Sequence, residues 1–170
     1  MTLIAFVCCF SCAIPIFAQK SAPNGASNGA QNIARLDAQY QAESDPVHKA
    51  KLLAKLGPQE MEAARQELKS DADQEALTGV RHYRDQVHET WQALNATGVD
   101  AERHPGGFRE LQISLRETLR RLDDIIAASP FELQMDFRSA QSDLLDAEHD
   151  LFQELFPSPS NRAAKKAKSH

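Results

Sequence analysis

The sequence predicts an all-α fold, and three observations support this prediction. Apolar residues between positions 32 and 156 recur every three or four residues, the period of amphipathic helices. The alternation typical of strands is absent there, and β-branched residues are sparse. Glycine and proline cluster at only a few points, which divide the segment into long helices. We expect two antiparallel helical hairpins, about 45–96 and 106–156, forming an up-down-up-down four-helix bundle, because each helix must bury its apolar stripe.

The first hairpin is predicted to begin at Asp45, which can cap a helix whose first residue is Pro46. A short helix over Asn32–Ala42 is expected to precede it. The pair Gly57-Pro58 lies inside the apolar pattern of the first main helix, so we expect a kink or a split there.

The second main helix is predicted to follow a break at Ser70-Asp71, where either residue can cap it. Its apolar stripe consists of Leu77, Val80, Tyr83, Val87, Trp91 and Leu94. The helix is expected to end near Thr97-Gly98. A polar connection over residues 99–107 follows, and Gly106-Gly107 are expected only to loosen it.

The second hairpin shows the same period. The third helix has the stripe Phe108, Leu111, Leu115, Leu119, Leu122 and Ile126, and the fourth has Leu133, Phe137, Ala140, Leu144, Ala147, Leu151 and Leu155. Between them we expect Ser129 to cap the fourth helix, with Pro130 in its first turn and Glu132 completing a capping box. Pro157 is expected to stop that helix. A homodimer formed from two longer hairpins is the structural alternative.

Residues 1–18 have the layout of a signal peptide. Leu3–Ala18 is uncharged and mostly apolar, and it is shorter than the ~20 residues that a membrane-spanning helix needs. We expect cleavage after Ala18 and therefore an exported protein, periplasmic or secreted. A retained N-terminal anchor is the alternative, because only the Met1 amine supplies positive charge before the apolar run.

All three cysteines, Cys8, Cys9 and Cys12, lie in this predicted signal. A chain cleaved after Ala18 would contain no cysteine. That excludes a disulfide, a thiolate metal site and a cysteine nucleophile from the mature protein.

Charge is distributed unevenly along the chain. The sequence has 19 basic and 24 acidic side chains, a formal net charge of −5, yet the residues after Phe156 include four basic and no acidic side chains. The acidic main part argues against a nucleic-acid-binding domain. Residues 19–31 are expected to be a flexible lead-in, and residues 157–170 a disordered basic tail. The tail could add weak contact with an anionic membrane or cell-wall polymer.

Three stretches carry a resemblance to known proteins: DPVHKAKLLAKLG from Asp45, the Ser70-Asp71 turn, and GGFRELQISLRETLRRLDD from Gly106. They resemble an uncharacterised group of exported bacterial proteins, whose long helical hairpins begin with a similar Asp-Pro-x-x-Lys-Ala segment. The resemblance covers most of residues 45–125. It implies a helical fold and export, and it brings no catalytic residues. Gly57-Pro58 departs from the pattern, since the first helix is expected to continue there.

A repeated Asp-x-x-His motif suggests a di-metal site, with Asp85 and His88 on the second helix and Asp146 and His149 on the fourth. Glu60 and Glu117 are conceivable further ligands. At about 100° per residue, however, both aspartates and His149 point away from the apolar stripes, and His88 lies at a boundary. We therefore expect these side chains to be exposed, and we predict no metal site and no cofactor.

A charged stripe on the third helix is the best candidate for contact with a partner. Arg109, Ile113, Arg116 and Arg120 lie side by side next to the apolar seam. On the fourth helix, acidic side chains recur every seven residues at Asp136, Asp143 and Asp150. Two interpretations are open. Both sets of charges are solvated or paired within the protein, or the arginine stripe binds an acidic helix of a partner.

The sequence contains no Gly-x-Ser-x-Gly turn, no phosphate-binding glycine loop and no His-Glu-x-x-His motif. We therefore expect a non-enzymatic protein that acts by protein–protein contact, as an adaptor, a chaperone-like binder or an assembly component. A helical bundle that binds a metal or a small ligand is the alternative.

Overall fold

The computed structural model describes residues 24–158, and within them it contains five helices and no strand. The helices are α1 (Asn24–Ala42), α2 (Pro46–Lys69), α3 (Asp73–Ala96), α4 (Phe108–Ala128) and α5 (Phe131–Leu155). The all-α prediction is confirmed for this part of the chain. The predicted signal peptide, the start of the predicted lead-in and nearly all of the predicted basic tail lie outside the described residues.

Helices α2 to α5 pack as two hairpins side by side. Helix α2 lies against α3 and α4, and α5 lies against the same two helices. Gly107, before α4, lies against Val47 at the start of α2, while Thr118 in α4 lies against Gly57 in α2. Helices α2 and α4 therefore run in the same direction, and ion pairs show that α3 and α5 do so too.

The predicted apolar stripes form the core. All six stripe residues of α4 are buried, and Tyr83 of α3 and Phe137 of α5 have no exposed area. Trp91 is only partly buried, and its ring packs edge-on against Phe108 with centroids 6.2 Å apart. The three- and four-residue spacing thus places one continuous set of apolar side chains between the hairpins.

Helix α1 is longer than expected, because it begins at Asn24 rather than at Asn32. The expected flexible lead-in over residues 19–31 is therefore helical from Asn24 onward. Residues 28–31 are all exposed. Since residues 28–31 bury nothing, they carry no apolar period by which the sequence could reveal a helix.

Helix α2 begins as predicted. The Asp45 carboxylate accepts hydrogen bonds from the backbone N–H groups of Val47 and His48, and Pro46 is the first helical residue. The helix is not split at Pro58. Gly57 instead makes room for a neighbour, since a Cβ there would stand 2.7 Å from the Tyr83 hydroxyl of α3.

Two of the predicted helix caps are wrong. Asp71 adopts a left-handed backbone (φ 58°), and neither it nor Ser70 caps α3, whose N-cap is Ala72. The Ser129 hydroxyl donates to the Ile126 carbonyl, 2.9 Å away. It therefore binds the end of α4 instead of capping α5. The N-cap of α5 is Pro130, which is not in the first turn, and no side chain caps the helix, so Glu132 completes no capping box.

Gly107 does more than loosen the connection before α4. Its φ of 84° favours glycine, and a Cβ there would stand 2.9 Å from Leu94 and 3.1 Å from the Val47 backbone. Its N–H donates to the Glu110 carboxylate at 2.7 Å. Gly107 therefore allows close packing of the start of α4 against the ends of α2 and α3.

Candidate contact surface

The Asp-x-x-His residues lie on the outside of α3 and α5. Asp85, Asp146 and His149 are exposed, and His88 is partly buried. Asp85 accepts hydrogen bonds from its neighbour Arg84, the shorter being 2.7 Å, and the His149 ring lies 2.6 Å from the Gln153 amide. Among the described residues, no group of three or more His, Cys, Asp or Glu side chains is placed to hold a metal ion.

Of the two further ligands considered, Glu117 pairs with Arg121 at 2.7 Å, whereas Glu60 is buried. Glu60 of α2 lies close to Gly79 of α3, where its carboxylate oxygen would contact an added Cβ at 3.5 Å. Burial raises the pKa of Glu60 to about 7, against a lowering effect of His82. Glu60 is therefore a buried acid at the contact between α2 and α3.

A polar network next to Glu60 connects α1 to α3. Asp37 of α1 lies 3.1 Å from the His82 ring, and it also accepts a hydrogen bond from the Gln86 amide. Asn32 of α1 donates to Gln59 of α2 at 2.6 Å. These contacts hold α1 on the outer side of the α2–α3 hairpin.

Tyr40 is the main anchor of α1. It has no exposed area; its hydroxyl donates to the Gln86 carbonyl at 3.0 Å and lies 2.9 Å from the Thr90 hydroxyl. The Lys49 ammonium stands 4.5 Å from the ring centroid. Burial raises the pKa of Tyr40 to about 12. One side chain thus contacts both helices of the first hairpin.

The arginine stripe (Arg109, Ile113, Arg116 and Arg120) lies on the outside of α4, and all four residues are exposed. Ile113 is 55 % exposed. The Arg116 guanidinium is 3.9 Å from Glu148, and Arg120 donates to the Arg116 carbonyl at 3.2 Å. The stripe therefore presents cationic groups around an apolar side chain.

The acidic residues of α5 have a different role from the arginine stripe. Asp136 pairs with Arg81 at 2.8 Å, and Asp143 pairs with Arg84 at 3.3 Å. Both arginines belong to α3, so these pairs bridge α3 and α5. Asp150 is exposed.

Helix α5 has a second apolar stripe, on the side opposite its core stripe. Its members, with their exposed fractions, are Phe131 (83 %), Met135 (82 %), Leu145 (48 %), Phe152 (45 %) and Phe156 (64 %). They fall within a sector of about 100° around the helix axis. The rings of Phe152 and Phe156 also contact each other, with centroids 5.0 Å apart. We call this set the outer α5 stripe.

Sequence reasoning missed the outer α5 stripe, although a signal was present. Only the dominant stripe through Phe137, Leu144 and Leu151 was assigned to α5, and Met135 lies off it. The outer residues are separated by four, ten, seven and four positions, with the polar Arg138, Ser142 and His149 on the same side. A search for a second sector in the same helix would have found them.

The two stripes lie next to each other. Gln112 of α4 donates to Glu148 of α5 at 2.8 Å, and Gln141 of α5 donates to Asp123 of α4 at 2.6 Å. The helices are therefore antiparallel, and the arginine stripe runs beside the C-terminal half of α5. Together the stripes form the outer face of the α4–α5 hairpin.

Two grooves in the described part of the surface are open and partly polar. A groove of about 480 Å³ between α4 and α5 is lined partly by Asp123, Gln134 and Arg138. A smaller groove of about 240 Å³ between α2 and α4 is lined partly by Glu62 and Arg121. Small-molecule sites are typically enclosed and mostly apolar, and neither groove has this character.

Comparison of the chain with protein-family models, with curated proteins and with solved structures finds no match. The resemblance to exported helical-hairpin proteins therefore stays a prediction. None of the helices described is long and apolar enough to cross a membrane.

Proposed function

We propose that this protein is an exported, non-enzymatic protein that acts by binding other proteins through the outer face of its α4–α5 hairpin. In this proposal α2 to α5 form a four-helix bundle that serves as a rigid scaffold, and residues 1–18 are the signal peptide. An adaptor, chaperone-like or assembly role fits such a scaffold. The outer α5 stripe is the observation that carries the proposal.

The apolar area of this stripe supports a contact function. The five exposed fractions add up to about three whole side chains. At roughly 150–250 Å² for each large side chain, the stripe exposes on the order of 500 Å² of mostly apolar surface. This area is divided between the two ends of α5, and its total is comparable to the ≈ 300–600 Å² of the largest apolar patch on a typical monomer, which is often functional.

The charge beside the stripe indicates the kind of partner. Arg109, Arg116 and Arg120 are exposed next to it, and arginine is enriched where proteins bind each other. Their charge favours a partner with acidic groups next to its apolar ones. The alternative, a bundle that binds a metal or small ligand, has no comparable set of contacts among the described residues.

Site-specific photo-crosslinking in the producing cells tests the proposal. A photoreactive residue replaces Ile113 in one variant, Met135 in a second and the exposed Gln74 of α3 in a control. We expect protein adducts from positions 113 and 135 and none from position 74. Arg116→Glu should lower the yield at position 113 by about fivefold, corresponding to ~1 kcal/mol of binding free energy. Equal yields from all three positions, or none from 113 and 135, would contradict the proposal.

A further inference from the structure

We propose that the outer α5 stripe binds the same stripe of a second copy of this chain, with the two α5 helices antiparallel. This inference deepens the proposed function and rests on the same surface, because it names the partner of one of its two stripes. The arginine stripe beside it stays available for other proteins.

The order of residues along the stripe carries the inference. Phe131 and Phe156 lie equally far from a midpoint between residues 143 and 144, and so do Met135 and Phe152. In an antiparallel pair centred at this midpoint, Phe131 of one copy faces Phe156 of the other, and Met135 faces Phe152. A two-fold interface requires such self-complementarity, since the same patch is used on both subunits.

The charged residues on this side of α5 fit the same arrangement. Arg138 and His149 also lie equally far from the midpoint, and Asp146 lies one turn before His149. An antiparallel pair therefore brings Arg138 close to the exposed Asp146 of the second copy, twice by symmetry. A parallel pair would place Arg138 of one copy beside Arg138 of the other, and the repulsion between their charges opposes this.

The apolar residues of the stripe lie towards the two ends of α5, and a second copy of the chain can cover both ends. Phe131 and Met135 lie at the start of α5, Leu145 and Phe152 lie in its second half, and Phe156 follows its last residue. A helix of 25 residues is ~37 Å long, so one copy cannot bring its two ends together. The antiparallel pair covers each end with the other end of its neighbour.

The size of the surface suits a reversible dimer. The stripe supplies on the order of 500 Å² from one copy, against about 800 Å² per partner in a standard interface. The polar side chains between its apolar members supply part of the rest. Residues 157–170 contain alanine and proline as their only apolar residue types, so they are poor candidates to cover the stripe from within the same chain. We therefore expect self-association in the micromolar range or weaker.

Sedimentation velocity tests the association. The full 170-residue chain, expressed for export, should shift from monomer to dimer as its concentration rises, and its mass shows whether the signal has been removed. Phe131→Asp combined with Met135→Asp should weaken the dimer at least tenfold. The matched control is Val99→Asp, at a 43 % exposed apolar residue outside α5, and it should leave the dimer unchanged. A monomer at every concentration, or equal effects of both variants, overturns the inference.

Cysteine crosslinking tests the antiparallel register. The three native cysteines are replaced by serine, and Met135→Cys and Phe152→Cys are introduced in separate chains. A mixture of the two should form interchain disulfides, whereas each chain alone should not. Crosslinking of each chain alone indicates a parallel pair, and no crosslinking at all indicates another occupant, such as the apolar Leu3–Ala18; either result overturns the inference. Photo-adducts with other proteins at Ile113 would then still support the proposed function.

Discussion

The two hairpins differ in how their outer sides are covered. The outer side of α2–α3 carries α1, which buries Leu36 and Tyr40 against it. The α4–α5 hairpin has no such helix among the described residues, and it exposes the outer α5 stripe. The outer sides of two hairpins of similar length thus differ: one is covered by a helix of its own chain, and the other presents apolar surface for a partner. Substitutions on each side, and at the contact between the hairpins, test this difference.

The largest effect is expected where α1 covers the first hairpin. Tyr40→Ala removes a fully buried ring and the group that binds Gln86 and Thr90. We expect the free energy of unfolding to fall by about 3–5 kcal/mol, as for other buried aromatic truncations. Urea denaturation followed by circular dichroism measures it.

Tyr40→Phe is the matched control. It keeps the ring and removes only the hydroxyl, so the expected loss is about 1–2 kcal/mol, from one lost hydrogen bond and an unsatisfied partner. Equal losses in the two variants would mean that the hydroxyl, and not the packing of α1, holds the helix in place.

The second-largest effect is expected at Glu60, where a substitution should raise the free energy of unfolding instead of lowering it. Burial raises the pKa of Glu60 from 4.5 to about 7, so below pH ~4.5 the carboxyl is protonated in both the folded and the unfolded chain. Between those pH values only the folded chain keeps its proton, and the stability falls as pH rises. Above pH ~7 the whole penalty remains, on the order of 3 kcal/mol.

Glu60→Gln should therefore stabilise the protein by up to about 3 kcal/mol at pH 8 and leave it nearly unchanged at pH 4. Asp37 of α1, Glu67 of α2 and His82 of α3 are the other titratable groups near this side chain, and all three are retained in the variant. The difference between wild type and variant from pH 4 to 8 isolates Glu60. A difference that is constant with pH would show that Glu60 does not titrate in this range.

A substitution at Gly57 tests the contact between the hairpins. A Cβ at Gly57 would stand 2.7 Å from the Tyr83 hydroxyl and 2.8 Å from the Thr118 hydroxyl. Gly57→Ala should therefore destabilise the protein by about 1–3 kcal/mol through overpacking, despite the better helix propensity of alanine. Thermal unfolding measures the change.

Gly79→Ala is its control, because a Cβ there meets only Glu60 at an ordinary 3.5 Å. Here the helix propensity should dominate, and we expect stabilisation of about 0.5–1 kcal/mol. Stabilisation by both variants would mean that Tyr83 and Thr118 yield easily to the added methyl group.

The sequence predicts the helices of this protein better than it predicts their ends and surfaces. The core stripe of α4 was predicted residue by residue, because burial imposes a strict period. The cap at Asp45 was also predicted, since a local hydrogen bond follows from local sequence. The assignment at Ser129 failed because its hydroxyl can bind either of two helix ends, and tertiary packing decides which.

The contact surface was predicted only in part. Arg109, Ile113 and their neighbours are exposed in α4, as their place beside the core stripe indicates. The outer α5 stripe was missed because a helix with one strong apolar stripe is usually assigned a single buried face. The polar network of Asp37 and His82 could not have been found either, since its members come from helices whose packing the local sequence does not define.

The smallest expected effect lies at the α3–α5 contact. Arg81 and Asp136 are 2.8 Å apart, but their side chains are 45 % and 48 % exposed, so solvent screens the pair. A double-mutant cycle with Arg81→Ala and Asp136→Ala should give a coupling free energy of about 0–1 kcal/mol that disappears at high salt. A coupling well above 1 kcal/mol that persists in salt would mean that charge, and not the apolar core, determines how the two hairpins align. The uncovered α4–α5 hairpin would then be positioned by ion pairs, and its outer stripe would shift whenever they are broken.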